Sequence, residues 1–89
     1  MFEPGQVVGQ YRLDRTVHRG HSTVVFAATD LSTGQPVALK MLGDEFATDA
    51  GMRERLVAEA QYASQLDSHP GIATVLRWGQ VGDSMYFVT

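Results

Sequence analysis

Several absences narrow the class of protein. The 89-residue sequence contains no cysteine, which excludes disulfides and thiolate metal sites. No apolar run approaches the ~20 residues of a membrane-spanning helix, and no signal peptide opens the chain, so we expect a cytoplasmic protein without a membrane segment. The net charge is −3 and Lys/Arg residues do not cluster, so nucleic-acid binding is not expected. The composition is that of one small globular domain.

Lysine is also scarce. Lys40 is the only lysine of the chain, and it lies in the middle of an apolar run over residues 37–42. An ammonium group in an apolar strand is costly unless an anion meets it, because desolvation disfavours the charged form. The sequence therefore raises the question of which anion Lys40 serves.

The hydrophobic pattern predicts one antiparallel sheet and one helix. Alternating or β-branched residues predict strands over residues 10–17, 22–29, 36–42, 72–78 and 85–89, with turns over 18–21 and 79–83. In the first strand, Tyr11, Leu13 and Val17 share a face. A helix is predicted over about 52–66, with Thr48 or Asp49 as its cap. The fold class is α+β, a five-stranded antiparallel sheet with one inserted helix on one face. Residues 1–8 are a lead-in and residues 9–89 the domain.

The predicted helix offers a carboxylate for Lys40. Helical spacing places five residues on its inward stripe: Met52, Leu56, Glu59, Ala63 and Leu66. If this stripe packs on the sheet, Glu59 reaches Lys40 and the two form a buried pair. The alternative is that Glu59 pairs with Arg55 one turn earlier and that Lys40 extends outward to solvent. Spacing alone does not choose between them.

Strand parity adds a candidate binding surface. Ala38 and Lys40 share a face of the third predicted strand, and Thr23, Val25 and Ala27 share a face of the second. If Ala38 and Val25 point the same way as Lys40, a shallow apolar floor lies beside a positive charge. An aromatic base with a phosphate tail suits such a floor.

The order of these features resembles the amino-terminal lobe of eukaryotic-like protein kinases, most of all the bacterial serine/threonine kinases, over residues 9–89. The motifs that carry the resemblance are Val37-Ala38-Leu39-Lys40, the helix residue Glu59, His69-Pro70-Gly71-Ile72 and Tyr86-Phe87-Val88-Thr89. The resemblance implies that Lys40 holds the α- and β-phosphates of ATP and that Glu59 pairs with it. These two are the implied catalytic residues. Val25 and Ala38 would cover the adenine ring, and Thr89 would be the gatekeeper. The implied cofactor-binding residues are Val17, His18, Gly20, Thr23, Val25, Ala38, Lys40 and Thr89.

The chain departs from the family in its phosphate loop. Residues 18–25 align with the family's Gly-x-Gly-x-x-Gly-x-Val, and Gly20 alone remains of the three glycines. His18 and Thr23 add a Cβ where the family brings backbone amides close to phosphates, so a weaker nucleotide grip or a displaced loop is expected. His18 and His21 are spaced like two metal ligands, a pattern more typical of plain surface residues. No metal site is expected in this chain. A further departure is Ala63, which is smaller than the bulky residue that the family usually places one turn after the helix glutamate.

The 89 residues contain neither His-Arg-Asp nor Asp-Phe-Gly, the motifs of the family's second, helical lobe. Because phosphoryl transfer depends on the positioning and Mg²⁺ binding those motifs supply, we expect a truncated kinase that is inactive alone. Mg²⁺ and a protein Ser/Thr substrate would be bound only with the second lobe. Two other hypotheses remain: a pseudokinase-like regulatory or protein-binding module, and a small structural domain whose Lys40–Glu59 pair binds nothing. The exposed underside around Val25, Ala38 and the end of the fifth strand predicts self-association or docking of a missing segment.

Overall fold

A computed structural model describes residues 2–65 and 77–89, with helix side chains as far as Tyr62. One sheet of antiparallel strands carries a single α-helix, which confirms the predicted α+β class. The elements are β1 (Val7–Val8), β2 (Tyr11–Arg19), β3 (Thr23–Asp30), β4 (Pro36–Leu42), a 3₁₀ helix (Asp44–Phe46), α1 (Ala50–Gln65), β5 (Arg77–Val81) and β6 (Ser84–Val88). Within the described residues the sheet has six strands in the order β1-β2-β3-β4-β6-β5, because the unpredicted β1 pairs with β2.

The sheet curves strongly around the main hydrophobic core. β3 and β4 lie between β2 and β6 in the sheet, yet the rings of Tyr11 and Tyr86 are only 6.2 Å apart. Arg77 also donates a hydrogen bond of 2.6 Å to Gln10 from the opposite end of the sheet. Strand twist accumulates into such curvature, so the concave face encloses its own core. That core consists of Val8, Tyr11, Leu13, Val24, Phe26, Ala28, Leu39, Met41, Tyr86 and Val88.

Two irregularities in β2 change the predicted faces of this strand. The register with β3 shifts between Leu13 and Arg15 and again between Thr16 and His18. Each shift inserts an extra residue and breaks simple alternation. The prediction that Val17 faces the core with Leu13 was therefore wrong, since Val17 is 52% exposed while Leu13 is fully buried. β2 also continues to Arg19, so the predicted turn over residues 18–21 starts two residues too early.

The β5–β6 hairpin corrects a second predicted turn. Residues 79–83 were predicted to be a turn, but β5 extends to Val81 and only Gly82 and Asp83 connect the strands. Gly82 has φ +57°, a left-handed conformation that glycine adopts without a Cβ penalty. Gly79 is a strand residue paired with Tyr86. Of the strand predicted over residues 72–78, residues 72–76 lie outside the described residues, as does the His69-Pro70-Gly71-Ile72 motif.

Helix α1 packs on the opposite face of the sheet from the main core. Its buried residues Leu56 and Ala60 contact Leu42 and Phe87 in a second, smaller cluster. The predicted inward stripe is thus partly wrong, because Ala60 is fully buried while the Glu59 side chain is 50% exposed. Met52 is partly buried against this cluster, and the side chains of Ala63 and Leu66 lie outside the described part of the helix.

Candidate functional site

Lys40 lies on the helix-covered face of the sheet, in a row of directly paired residues. Val25 of β3 is its partner on one side and Phe87 of β6 its partner on the other. Because directly paired residues of antiparallel strands point to the same face, all three side chains share one surface. The condition set by strand parity, that Val25 points the same way as Lys40, is therefore met.

A second row extends this surface. Ala27 of β3 pairs with Ala38 of β4, and Ala38 exchanges two backbone hydrogen bonds, of 3.1 and 2.9 Å, with Thr89. All three residues are partly exposed. We call the surface formed by Val25, Ala27, Ala38, Lys40 and Thr89 the Lys40 face. The five side chains that define it are apolar apart from the Lys40 ammonium and the Thr89 hydroxyl, which matches the predicted floor beside a positive charge.

The anion that meets Lys40 is Glu59. Lys40 Nζ donates a hydrogen bond to Glu59 Oε1 at 2.5 Å, and this bond connects β4 to α1. The Lys40 side chain is 24% exposed and that of Glu59 50% exposed, so the pair lies at the rim of the helix–sheet contact. The prediction of the pair is confirmed, whereas the prediction that it is buried was wrong. Leu56 and Ala60 take the buried positions, and Glu59 flanks them.

The β2–β3 turn places the altered glycine-loop residues near one another. A Cβ built on Gly20 would lie 3.5 Å from His18 Nε2 and 3.6 Å from Thr23 Oγ1. The backbone N–H of Gly20 donates to the carbonyl of Thr23 at 2.8 Å. His18 pairs directly with Val25, so its side chain belongs to the row that contains Lys40. The turn is compact and has its own hydrogen bond.

Sequence reasoning missed Arg15 as a member of this surface. Counting by twos from Leu13 places Arg15 toward the core, but the first irregularity of β2 pairs it with Ala27 on the Lys40 face. Phe87 was also missed as the packing partner beside Lys40. Only the strand register could have revealed either residue, because an irregularity of one residue leaves no mark in the hydrophobic pattern.

Two cavities flank the Lys40 face without including Lys40. One, of about 410 Å³, lies by the β2–β3 turn and is lined by Gly20 and Thr23 together with Phe2, His21 and Glu45. The other, of about 450 Å³, lies between α1 and β5, against Val57, Trp78 and Met85. No residue of the Lys40 face lines either cavity.

His18 and His21 do not form a metal site with their described neighbours. The His21 ring lies 5.4 Å from the ring of Phe46, beside the 3₁₀ helix, while His18 belongs to the Lys40 row. Within residues 2–65 and 77–89, no three His, Asp or Glu side chains are grouped as metal ligands.

Three bacterial serine/threonine kinases are similar to this chain in sequence. A probable serine/threonine-protein kinase of Corynebacterium efficiens is 44% identical over 75 residues, 84% of this chain and 11% of the relative. Serine/threonine-protein kinase PknA of Mycobacterium tuberculosis is 42% identical over 72 residues, 81% of this chain and 16% of the relative. Serine/threonine-protein kinase PrkC of Bacillus subtilis is 34% identical over 83 residues, which are 93% of this chain and 13% of the relative. This chain belongs to the bacterial serine/threonine protein kinases, as their amino-terminal portion.

Solved structures show the same fold. The apo form of PpkA-294 superposes with a TM-score of 0.79 at 20% identity, over 99% of this chain and 37% of that chain. The PknI kinase domain of Mycobacterium tuberculosis gives a TM-score of 0.71 at 23% identity, over 99% of this chain and 36% of that chain. At such identities the likeness concerns the fold alone. The sheet and the helix of this chain match the fold of a kinase amino-terminal lobe.

The kinase lobe spans a small part of its relatives, between 11% and 16% of the length of the first ones matched. No protein-family profile matches the chain. Among the described residues, no helix has both the length and the apolar character needed to cross a bilayer.

Proposed function

We propose that this chain is the ATP-binding lobe of a serine/threonine protein kinase and that the Lys40 face is its nucleotide surface. The observation that carries the proposal is the position of Lys40. Its ammonium is held by Glu59 at 2.5 Å, in the same row as Val25 and next to the row of Ala38. A fixed cation beside a small apolar floor suits a ligand that combines an aromatic ring with phosphates.

Four residues of the Lys40 face have separate parts in this proposal. Val25 and Ala38 would pack against the adenine ring, and Thr89 would limit the depth of the site beside Ala38. Lys40 would bind the phosphates as a point charge, with Glu59 fixing the direction of its side chain. The side chains present fit a nucleoside triphosphate, which supplies the phosphoryl group when bound.

Phosphoryl transfer to protein Ser/Thr residues is proposed for the full-length parent and not for these 89 residues alone. The sequence contains neither His-Arg-Asp nor Asp-Phe-Gly, so it supplies no aspartate to orient an acceptor hydroxyl and none to bind Mg²⁺. The test is an assay of γ-phosphate transfer from labelled ATP with this chain alone. Turnover that disappears in Lys40→Met would contradict this part of the proposal.

Nucleotide binding is tested by melting curves of the wild type, Lys40→Met and Arg55→Met in the presence of ATP, ADP or adenosine. Arg55→Met is the matched control, because it removes the same charge from an exposed position on α1. We expect ATP and ADP to raise the melting temperature of the wild type and of Arg55→Met but not of Lys40→Met. No shift at millimolar ATP in any variant would reject the proposal.

A pseudokinase-like regulatory or protein-binding module is the second candidate. The observation that favours it is the replacement of two loop glycines by His18 and Thr23. Aspartates at the His-Arg-Asp and Asp-Phe-Gly positions of a full-length parent would favour the kinase, and their loss would favour the module.

The Lys40 face also supports a proposal about partners. Val25 and Ala38 are partly exposed, and we propose that the Lys40 face is covered by the helical lobe or by a second copy of this chain. Sedimentation at high protein concentration tests the second case, and a clean monomer would exclude it. A cytoplasmic location stays a prediction.

A further inference from the structure

The cavity of about 410 Å³ beside the β2–β3 turn lies behind the row of residues that contains Lys40. Its lining includes Arg19, Val24 and Met41, which pair with one another across β2, β3 and β4. Each of the three is the chain neighbour of a residue in the Lys40 row, namely His18, Val25 and Lys40 itself. Because successive side chains of a strand point to opposite faces, these lining residues and the Lys40 row lie on the two sides of the same stretch of backbone.

Phe2 forms part of the wall of this cavity and belongs to the lead-in before β1. Its side chain is half-buried and packs against the main core, on the side of the sheet opposite the Lys40 face. The lead-in is fixed to β2, since the N–H of Gly5 donates to the carbonyl of Leu13 at 2.6 Å. An aromatic ring is therefore held behind the strands that carry the Lys40 row.

We propose that Phe2 is a positioning residue, whose ring supports β3 and β4 from behind and holds the Lys40 row in the arrangement that binds a ligand. The part of this proposal that concerns nucleotide rests on the proposed function. Close-packed interiors transmit strain, whereas the cavity leaves room for the strands to shift once the ring is removed. Loss of the ring therefore loosens the Lys40 row without removing any group from the Lys40 face.

The test compares Phe2→Ala and Phe2→Leu with Val81→Ala in the 89-residue chain. Val81 is the matched control, because it is also a partly buried residue packed against the main core, yet it does not line the cavity. Its chain neighbours on either side also lie outside the Lys40 row. One readout is hydrogen exchange at the backbone N–H groups of Val25 and Lys40, and the other is the dissociation constant for ATP. Both are measured at a temperature where melting curves show every variant to be folded.

The expected result separates support of the Lys40 row from a general loss of stability. We expect Phe2→Ala to speed hydrogen exchange at Val25 and Lys40 and to weaken ATP binding, each by about 3- to 10-fold, and Val81→Ala to change neither by more than about 2-fold. Phe2→Leu keeps a large apolar side chain and retains both properties. If Phe2→Ala leaves hydrogen exchange unchanged, or if Val81→Ala changes it as much, the inference is wrong.

Failure of this inference can be distinguished from failure of the proposed function. Absence of ATP binding to the wild type rejects the proposed function, and hydrogen exchange at Val25 and Lys40 then decides on the role of Phe2. ATP binding that is lost in Lys40→Met but equal in the wild type and Phe2→Ala rejects the inference alone. If Phe2→Ala does not fold, Phe2→Val replaces it, with changes expected in the same direction.

Discussion

Lys40 on β4 and Glu59 on α1 form an ion pair at the rim of the helix–sheet contact, with Nζ and Oε1 2.5 Å apart and half of the Glu59 side chain exposed to solvent. Solvent screens a pair in this position, so it contributes little to the free energy of folding. Its consequence is geometric, because it fixes the direction of the ammonium over the Lys40 face.

The first prediction concerns the stability of this pair. We expect Lys40→Met and Glu59→Gln each to change the free energy of unfolding by less than about 1 kcal/mol, because the pair is partly exposed. Urea denaturation of both single variants and the double variant measures their coupling. A loss of ~3–5 kcal/mol, the effect of breaking a buried pair, would contradict this position of the pair.

The second prediction concerns the close approach of Gly79 and Tyr86. A Cβ built on Gly79 would lie 2.2 Å from atoms of the Tyr86 ring, which itself belongs to the main core. We expect Gly79→Ala to destabilise the protein by about 1–3 kcal/mol, because the ring must move within a packed core. Gly43→Ala is the matched control, since its Cβ would meet only a carbonyl at 3.8 Å. Equal melting temperatures for the two variants would show that the ring is not held against Gly79.

The third prediction concerns the start of α1. The Asp49 carboxylate accepts a hydrogen bond of 3.0 Å from the N–H of Met52, so Asp49 is the cap of the helix. Of the two predicted candidates, Thr48 is exposed and has no such bond. We expect Asp49→Ala to lower the free energy of unfolding by ~1 kcal/mol and Thr48→Ala to leave it nearly unchanged. Thermal denaturation followed by circular dichroism would contradict this assignment if Thr48→Ala had the larger effect.

The fourth prediction concerns acid stability in the turn after β3. Hydrogen bonds from the hydroxyl and the backbone N–H of Ser32 lower the pKa of Asp30, with a smaller contribution from Gln10. A pKa that is lower in the folded state stabilises the protein above the unfolded pKa, and this stability is lost as the pH falls through the folded pKa. We therefore expect Ser32→Ala to lower the melting temperature at pH 7 and the difference from the wild type to shrink toward pH 2.

The control for the acid prediction is Thr33→Ala. The Thr33 hydroxyl accepts a hydrogen bond from the N–H of Gln35, and neither group titrates. Its effect on the melting temperature should therefore be the same at pH 7 and pH 2. A Ser32→Ala effect that is equally independent of pH would mean that the Asp30 carboxylate is not stabilised by Ser32.

The sequence predicted those features that depend on local pattern. The strand containing Lys40, the helix containing Glu59 and the meeting of the two follow from an apolar run, a helical stripe and a charge that needs a partner. The features that it did not predict depend on long-range pairing. The irregularities of β2 moved Val17 away from the core and placed Arg15 on the Lys40 face.

The β5–β6 turn was predicted incorrectly for a similar reason. Gly79 resembles a turn residue in sequence, but it is a strand residue paired with Tyr86. A glycine is needed at this strand position because the Tyr86 ring occupies the space that a side chain would need. The position of Glu59 was predicted only in part. Helical spacing places it near the sheet, but the buried positions are set by how α1 rests on Leu42 and Phe87.

The most direct test of the central claim is a map of ATP-induced changes in backbone amide NMR signals of the 89-residue chain. The account predicts saturable changes at Val25, Ala38, Lys40 and Thr89, which are absent in Lys40→Met and retained in Arg55→Met. Changes confined to the neighbouring cavity at Phe2, His21 and Glu45, or no changes at millimolar ATP, would contradict the claim that the Lys40 face binds the nucleotide.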